Sequence, residues 1–359
     1  MLLQYRCVAL AVTLVQPRTS PCCMTLVDAS LNDDAFVAER LAVLPPLGNS
    51  GPLLAGEASA LASRRKQVRR KPDARVRLFA LYGVADSSTS LRKWVSTSPM
   101  WLETRLLEVP GHGYRSEEAL PPCAARRNDP VTADALARQR AVWVSGLADE
   151  MVPILRASPG SYAILGFSFG ALLMYELCLE LQHRGVPPPL VLIASGRGAP
   201  HAITFSTERM AAVQGYDDEA VLAYFATAFG VSTKRIAPSV RSRAAALFRC
   251  GALMGSVHVG ESYDTKDASN LWDDITKPVE HAAGVPRVPC PVLGLAGSGD
   301  TCWPPHLVQR WADVSDDFKY TEVAVEHQAL MNAPEAMLVA FAEVAQRAMQ
   351  RAKKCTRSK

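Results

Sequence analysis

From Arg75 onward, short apolar runs recur along the chain: Val76 to Tyr82, Arg105 to Val109, Tyr162 to Gly166, Leu190 to Ala194, Pro291 to Ala296 and Tyr320 to Val325. Each has the length and residue type of a strand buried on both faces. Between most of them apolar positions repeat at helical spacing, as in Val131 to Leu155, Ala171 to His183 and Pro304 to Val314. Apolar strands alternating with amphipathic helices predict a mainly parallel sheet covered on both faces, an α/β architecture. The alternation is interrupted from about residue 200 to 288. There the pattern is helical over Asp218 to Phe229 and Val240 to Met254, then irregular as far as Val288. An inserted helical lid over the carboxyl edge of the sheet accounts for this interruption. A last Ala-rich helix, Pro334 to Lys353, ends in basic residues that suit the negative end of its dipole.

Residues 1–74 are patterned differently. Met1 to Val15 is apolar but interrupted by Arg6, and the passage from Pro17 to Cys23 breaks any helix. Two readings stand: a targeting segment with Cys7 to Val15 as its apolar core, or a loosely ordered extension. A Gly/Pro/Ala-rich passage from Pro45 to Ser63 leads into the basic run Arg64 to Lys71, read as a solvated linker. The organisation expected is therefore an extension over 1–74, one domain over 75–353 with its lid at about 200–288, and a basic tail over 354–359.

Composition narrows the class. With 48% hydrophobic and 21% charged residues in 359, the chain can bury one large core. The net charge of +4 is concentrated in the basic run, so charge gives no support to a nucleic-acid partner. The nine cysteines are odd in number and show no C-x-x-C or zinc-finger spacing. Cys178 and Cys290 fall in apolar patterns and read as small core residues, which suits a reducing, intracellular setting. No apolar run is long enough to span a membrane.

Candidate chemistry centres on Gly166-Phe167-Ser168-Phe169-Gly170. G-x-S-x-G alone is a weak signal. Here an apolar strand ends at the first glycine and a helical pattern begins after the serine, the setting of a nucleophile elbow in an α/β-hydrolase. The elbow is tight, so Gly166 and Gly170 supply positions without bulk. Ser168 then sits at the amino end of a helix, and the Phe169 N–H becomes an oxyanion donor.

In this arrangement an acid and then a histidine follow the nucleophile. Of the late histidines, His281 lies in the irregular insertion and His306 in the first turn of a surface helix. His327 follows a strand directly and is the expected base. The strand Pro291 to Ala296 empties into Gly297-Ser298-Gly299-Asp300, which makes Asp300 the expected acid. Asp300 could instead simply cap the helix starting near Pro304. Asp313, Asp316 and Asp317 lie on or after a helix and are poorer candidates.

The chain from about Arg77 to Gln346 also resembles the type II (editing) thioesterases of polyketide, nonribosomal-peptide and fatty-acid synthesis. Four blocks carry the likeness. The family's L-F-C-F-P-H-A-G-G-S stands here as Leu78 to Ser87, with Trp94 in register. L-P-G-R-G-x-R is Val109 to Arg115. The elbow continues into Ala171 to Leu177, and S-G-R-x-A-P is Ser195 to Pro200. The 27-residue step from Asp300 to His327 is also similar to the family's.

The resemblance implies hydrolysis of acyl thioesters through Ser168, His327 and Asp300, with no metal or cofactor. It further implies a second oxyanion donor at the Val84 N–H and an acyl carrier protein as partner. Two departures stand out. The H-A-G-G turn has become Gly83-Val84-Ala85-Asp86, losing two glycines and gaining a carboxylate. The chain between Tyr263 and Pro289 is also longer than the family's. A carboxylesterase or lipase on the same fold, or a relative that binds acyl carriers without turnover, are the alternative readings.

Overall fold

A computed structural model describes residues 12–13, 71, 74–120, 133–157, 161–202, most of 213–255 and most of 285–347. Its centre is a seven-stranded sheet in the order β1-β7-β6-β5-β4-β2-β3. The strands are β1 (Val12–Thr13), β2 (Val76–Leu81), β3 (Leu102–Leu106), β4 (Ser161–Phe167), β5 (Leu192–Ser195), β6 (Val292–Gly297) and β7 (Phe318–Val323). All neighbours pair in parallel except the two-residue β1, which runs antiparallel to β7 at the edge. Strands β2, β4, β5 and β6 are buried along nearly their whole length, which is why their sequences are mostly apolar.

Helices cover both faces. They are α1 (Arg92–Thr97), α2 (Ala133–Ala157), α3 (Phe169–His183), α4 (Asp218–Phe229), α5 (Arg241–Gly255), α6 (Pro305–Gln309) and α7 (His327–Leu330). Residues 340–347 are helical as well. Asp217 starts α4 by accepting the Ala220 N–H at 2.8 Å, and Gly230 ends it in the left-handed region. Helices α4 and α5 pack on each other through a satellite apolar cluster that includes Val221, Phe225, Ala245 and Phe248. Among the described residues, no helix is long and apolar enough to cross a membrane.

Most expected elements fall where the hydrophobic pattern put them, with two differences. Strand β3 runs from Leu102 to Leu106 rather than from Arg105 to Val109. Its early residues are polar because they neutralise one another. Arg77 on β2 faces Glu103 in register, with Nε 3.0 Å from Oε1, and Arg105 Nε lies 2.8 Å from the same oxygen. The solvated reading of the basic run fails at its last residue. Lys71 is buried and donates to the carbonyls of Ser98 and Pro99. The targeting segment (apart from Val12–Thr13), Arg64 to Arg70, the stretch 256–284 with His281, and the tail 354–359 lie outside the described residues.

Candidate active site

Ser168 stands between β4 and α3 with φ 53° and ψ −122°, a conformation that side-chain-bearing residues rarely adopt. The turn is held on both sides. The Ser168 N–H donates to the Ser195 carbonyl at 2.7 Å, and its own carbonyl accepts the Ala171 N–H at 2.9 Å. A Cβ on Gly166 would lie 2.4 Å from the Gly170 oxygen, and one on Gly170 would lie 2.3 Å from the Tyr82 oxygen. No other residue fits either position without moving backbone.

Three side chains from distant parts of the chain form a relay. His327 Nε2 lies 3.1 Å from Ser168 Oγ, and His327 Nδ1 lies 2.6 Å from Asp300 Oδ2. All three residues are buried. The loop after β6 brings Asp300 in, and Gly297 is what permits it: a Cβ there would sit 2.4 Å from the Val325 oxygen. Asp300 divides its oxygens between two tasks. Oδ1 accepts the N–H groups of Cys302 and Trp303, each at 2.9 Å, while Oδ2 faces the histidine. The helix starting at Pro305 has no side-chain cap, so Asp300 does not cap it; its Oδ1 holds the turn before that helix while Oδ2 partners His327.

His327 opens the short α7. Phe167 lies against its ring at 5.0 Å between centroids, and Phe229 of α4 meets it edge-on at 6.1 Å. Gly196, at φ 59°, follows β5 closely enough that a Cβ would be 3.4 Å from His327 Cε1. Trp94 braces the far end of α7 through its indole N–H, which donates to the Met331 carbonyl at 2.8 Å. His306 is exposed on α6, and Asp313 is occupied by His201 and Arg310 at 3.0 and 2.7 Å.

The turn after β2 lies directly against the serine, since a Cβ on Gly83 would be 3.1 Å from Ser168 Cβ. Ala85 takes φ 55°, the left-handed conformation that a glycine would adopt without strain. Asp86 Oδ1 accepts the Ser87 N–H at 2.8 Å, and burial pushes its carboxyl above the usual carboxylate range.

Glu108, which sequence reasoning passed over, holds both flanks of this turn. Its carboxylate accepts the Ser88 N–H (3.3 Å) and hydroxyl (2.7 Å), the Tyr82 hydroxyl and the Tyr114 N–H. Burial raises its pKa. Room for it comes from Gly113, where a Cβ would fall 2.0 Å from Oε2. A charged residue just before a Val-Pro-Gly turn was the available signal.

A second buried group ties the lid helix to the sheet. Arg140 of α2 donates through Nε to Glu176 of α3 (2.7 Å) and through Nη1 to the Met254 carbonyl (2.6 Å). Arg197 donates to the Gly255 carbonyl at 2.7 Å and lies 4.7 Å from the Trp303 ring centre. Burial, aided by the Arg140 charge, lowers the Arg197 guanidinium to about 9. Both arginines therefore grip the carboxyl end of α5, as cations suit.

Residues 135–237 match the family model described as a thioesterase domain. No curated protein matches the sequence. Among solved structures, the fold is similar to ClbQ from the colibactin NRPS/PKS pathway, 16% identical over 77% of this chain and 99% of that one, with a TM-score of 0.58. YbtT, a type II thioesterase of the yersiniabactin NRPS/PKS pathway, is 19% identical over 79% and 99%, with a TM-score of 0.58. RedJ, a thioesterase of prodiginine biosynthesis in Streptomyces coelicolor, is 19% identical over 76% and 91%, with a TM-score of 0.54. The architecture is that of the α/β-hydrolases.

Proposed function

We propose that this chain, an α/β-hydrolase with a thioesterase-domain match, is a serine thioesterase of the type II kind that releases acyl groups from carrier-bound thioesters. One observation carries the reading: a serine held in an elbow at φ 53° with His327 Nε2 3.1 Å from its oxygen and Asp300 2.6 Å behind the ring. The likeness to ClbQ and YbtT, each from an NRPS/PKS pathway, supports the substrate class.

In this mechanism His327 Nε2 takes the proton from Ser168 Oγ as that oxygen attacks the thioester carbonyl. Asp300 fixes the tautomer with the proton on Nδ1 and stabilises the imidazolium as it forms. Negative charge develops on the carbonyl oxygen at the amino end of α3. The Phe169 N–H and the Val84 N–H receive it. The carbon–sulfur bond then breaks and the proton on Nε2 passes to the departing thiolate. A thiol, with a pKa of about 8.5, leaves far more readily than an alcohol. Water, deprotonated by the same nitrogen, attacks the acyl-serine and frees the acid and Ser168. An acyl carrier protein delivers the thioester on its phosphopantetheine arm, and α4 and α5 shape the space for the acyl group.

The test is a comparison of acyl-CoA thioesters with p-nitrophenyl esters of the same acyl chain, in the parent and in Ser168→Ala. Thioester preference in the parent, with turnover lost in the variant, is the expected result. Equal or greater ester turnover identifies a carboxylesterase instead. Thioester turnover in Ser168→Ala at the parental rate rules the mechanism out.

A further inference from the structure

The turn that follows β6 carries more than the acid. Asp300 Oδ1 accepts the N–H groups of Cys302 and Trp303, so the aim of Oδ2 at His327 depends on where these two residues stand. Both are tied outward. The Cys302 thiol donates to the Ala228 carbonyl in the last turn of α4. The Trp303 side chain is buried, and the Arg197 guanidinium lies over its ring, 4.7 Å from the centre. A Cβ on Gly198 would come 3.0 Å from Cε3 and Cζ3 of the same ring, so the indole fills the space beside this backbone.

Arg197 is itself a junction. Its Nη2 donates to the carbonyl of Gly255, the last residue of α5. A Cβ on Gly255 would lie 3.6 Å from Arg197 Nη1 and 3.3 Å from Phe169 Cδ2. The guanidinium, the end of the lid helix and the residue after the nucleophile therefore meet at one point. The Arg197 carbonyl is held too, accepting the Trp311 indole N–H at 2.8 Å. Both oxygens of the nearby Glu176 go to Arg140, and Arg197 makes no ion pair with another described residue. A buried cation without a carboxylate is costly. The Gly255 carbonyl and the indole face are the partners that offset this, and an aromatic face attracts a desolvated cation more strongly than an exposed one.

We propose that Arg197 is a positioning residue for Asp300, acting through the indole of Trp303, and that it thereby joins the lid helix α5 to the Asp300–His327 pair. The assignment rests on the thioesterase reading above. Without the guanidinium the indole loses the partner on its face, the N–H groups that hold Oδ1 shift, and Oδ2 meets His327 Nδ1 less squarely. A misplacement of about 1 Å in a catalytic constellation costs on the order of 10²-fold in rate.

The test measures kcat and KM of the full chain on butyryl-CoA for the parent, Arg197→Met, Asp300→Asn and the double variant. Arg197→Met is expected to lower kcat on the order of 10- to 100-fold, with KM changed by less than about twofold. In the Asp300→Asn background the same substitution should change kcat by less than about threefold, because the group through which Arg197 acts is already disabled. Arg197→Lys, which keeps a cation at the ring, retains more of the parental kcat and supplies the same cycle should Arg197→Met fail to fold. An equal fall in both backgrounds assigns Arg197 to the stability of the fold and overturns the proposal. So does an unchanged kcat in Arg197→Met, and both results leave the thioesterase reading standing. No hydrolysis of butyryl-CoA by the parent overturns both.

Discussion

Ser168 is held in a backbone conformation that costs on the order of 1–3 kcal/mol, so its surroundings must impose it. The Ser195 carbonyl, the Ala171 N–H and the two elbow glycines do so. Gly170→Ala drives a methyl group into the Tyr82 carbonyl and should cost about 1–3 kcal/mol or more, read as a lowered Tm. Asp300→Asn separates the two duties of that side chain. The amide oxygen can still cap Cys302 and Trp303, but its nitrogen cannot accept from His327 Nδ1. We expect kcat to fall on the order of 10⁴-fold with little change in Tm, and a loss below tenfold would remove Asp300 from the mechanism. Asp86 gives a pH signature. Burial raises its pKa above 3.8 in the folded state, so folding favours the proton and the carboxylate becomes a cost as pH climbs through that value. Asp86→Asn should therefore raise Tm at pH 7 and leave it nearly unchanged at pH 3, where both forms are neutral.

At the scale of elements, legibility followed burial. Strands β2, β4, β5 and β6 are enclosed on both faces, so an apolar run marked each of them. Strand β3 was misplaced because Glu103 and Arg105 satisfy Arg77 and each other, and such pairing has no hydrophobic trace. The elbow, the Asp300 turn and the His327 turn were readable because each couples a strand end to a residue type that its chemistry requires. Glu108 was not, since its partners Tyr82, Ser88 and Tyr114 come together only through folding. In the proposed mechanism, its grip on both flanks of the Gly83–Ser87 turn makes it a positioning residue for the Val84 N–H. Glu108→Ala should lower kcat on the order of 10²-fold with KM little changed. Binding of a trifluoromethyl ketone analogue of the tetrahedral intermediate should weaken in parallel, whereas unchanged analogue affinity would assign Glu108 to stability alone.

Across the whole molecule, α5 is fastened to the sheet side at several points. Arg140 and Arg197 hold its last carbonyls, Arg243 reaches the Gly111 loop, and Val84 packs where a Cβ on Gly251 would come within 2.8 Å of it. The turn beside Ser168 and the lid helix are therefore one packed unit. Arg140→Met strips Glu176 of its bidentate partner and frees the end of α5. Breaking a buried pair in this way costs about 3–5 kcal/mol, and a Tm drop of several degrees is the readout. The mainly parallel sheet and the carboxyl-edge position of the site followed from the sequence pattern. Which helix grips which carbonyl did not, because such contacts join residues 58 to 132 positions apart.

The central claim is that Ser168 carries the acyl group between thiol release and hydrolysis. Acid-quenched mass spectrometry after mixing the protein with an acyl-CoA tests it most directly. The account predicts a mass gain equal to the acyl group, mapped to the peptide containing Ser168 and missing from Ser168→Ala. Turnover with the adduct on Cys302, or with Ser168→Ala acylated and active, would contradict it.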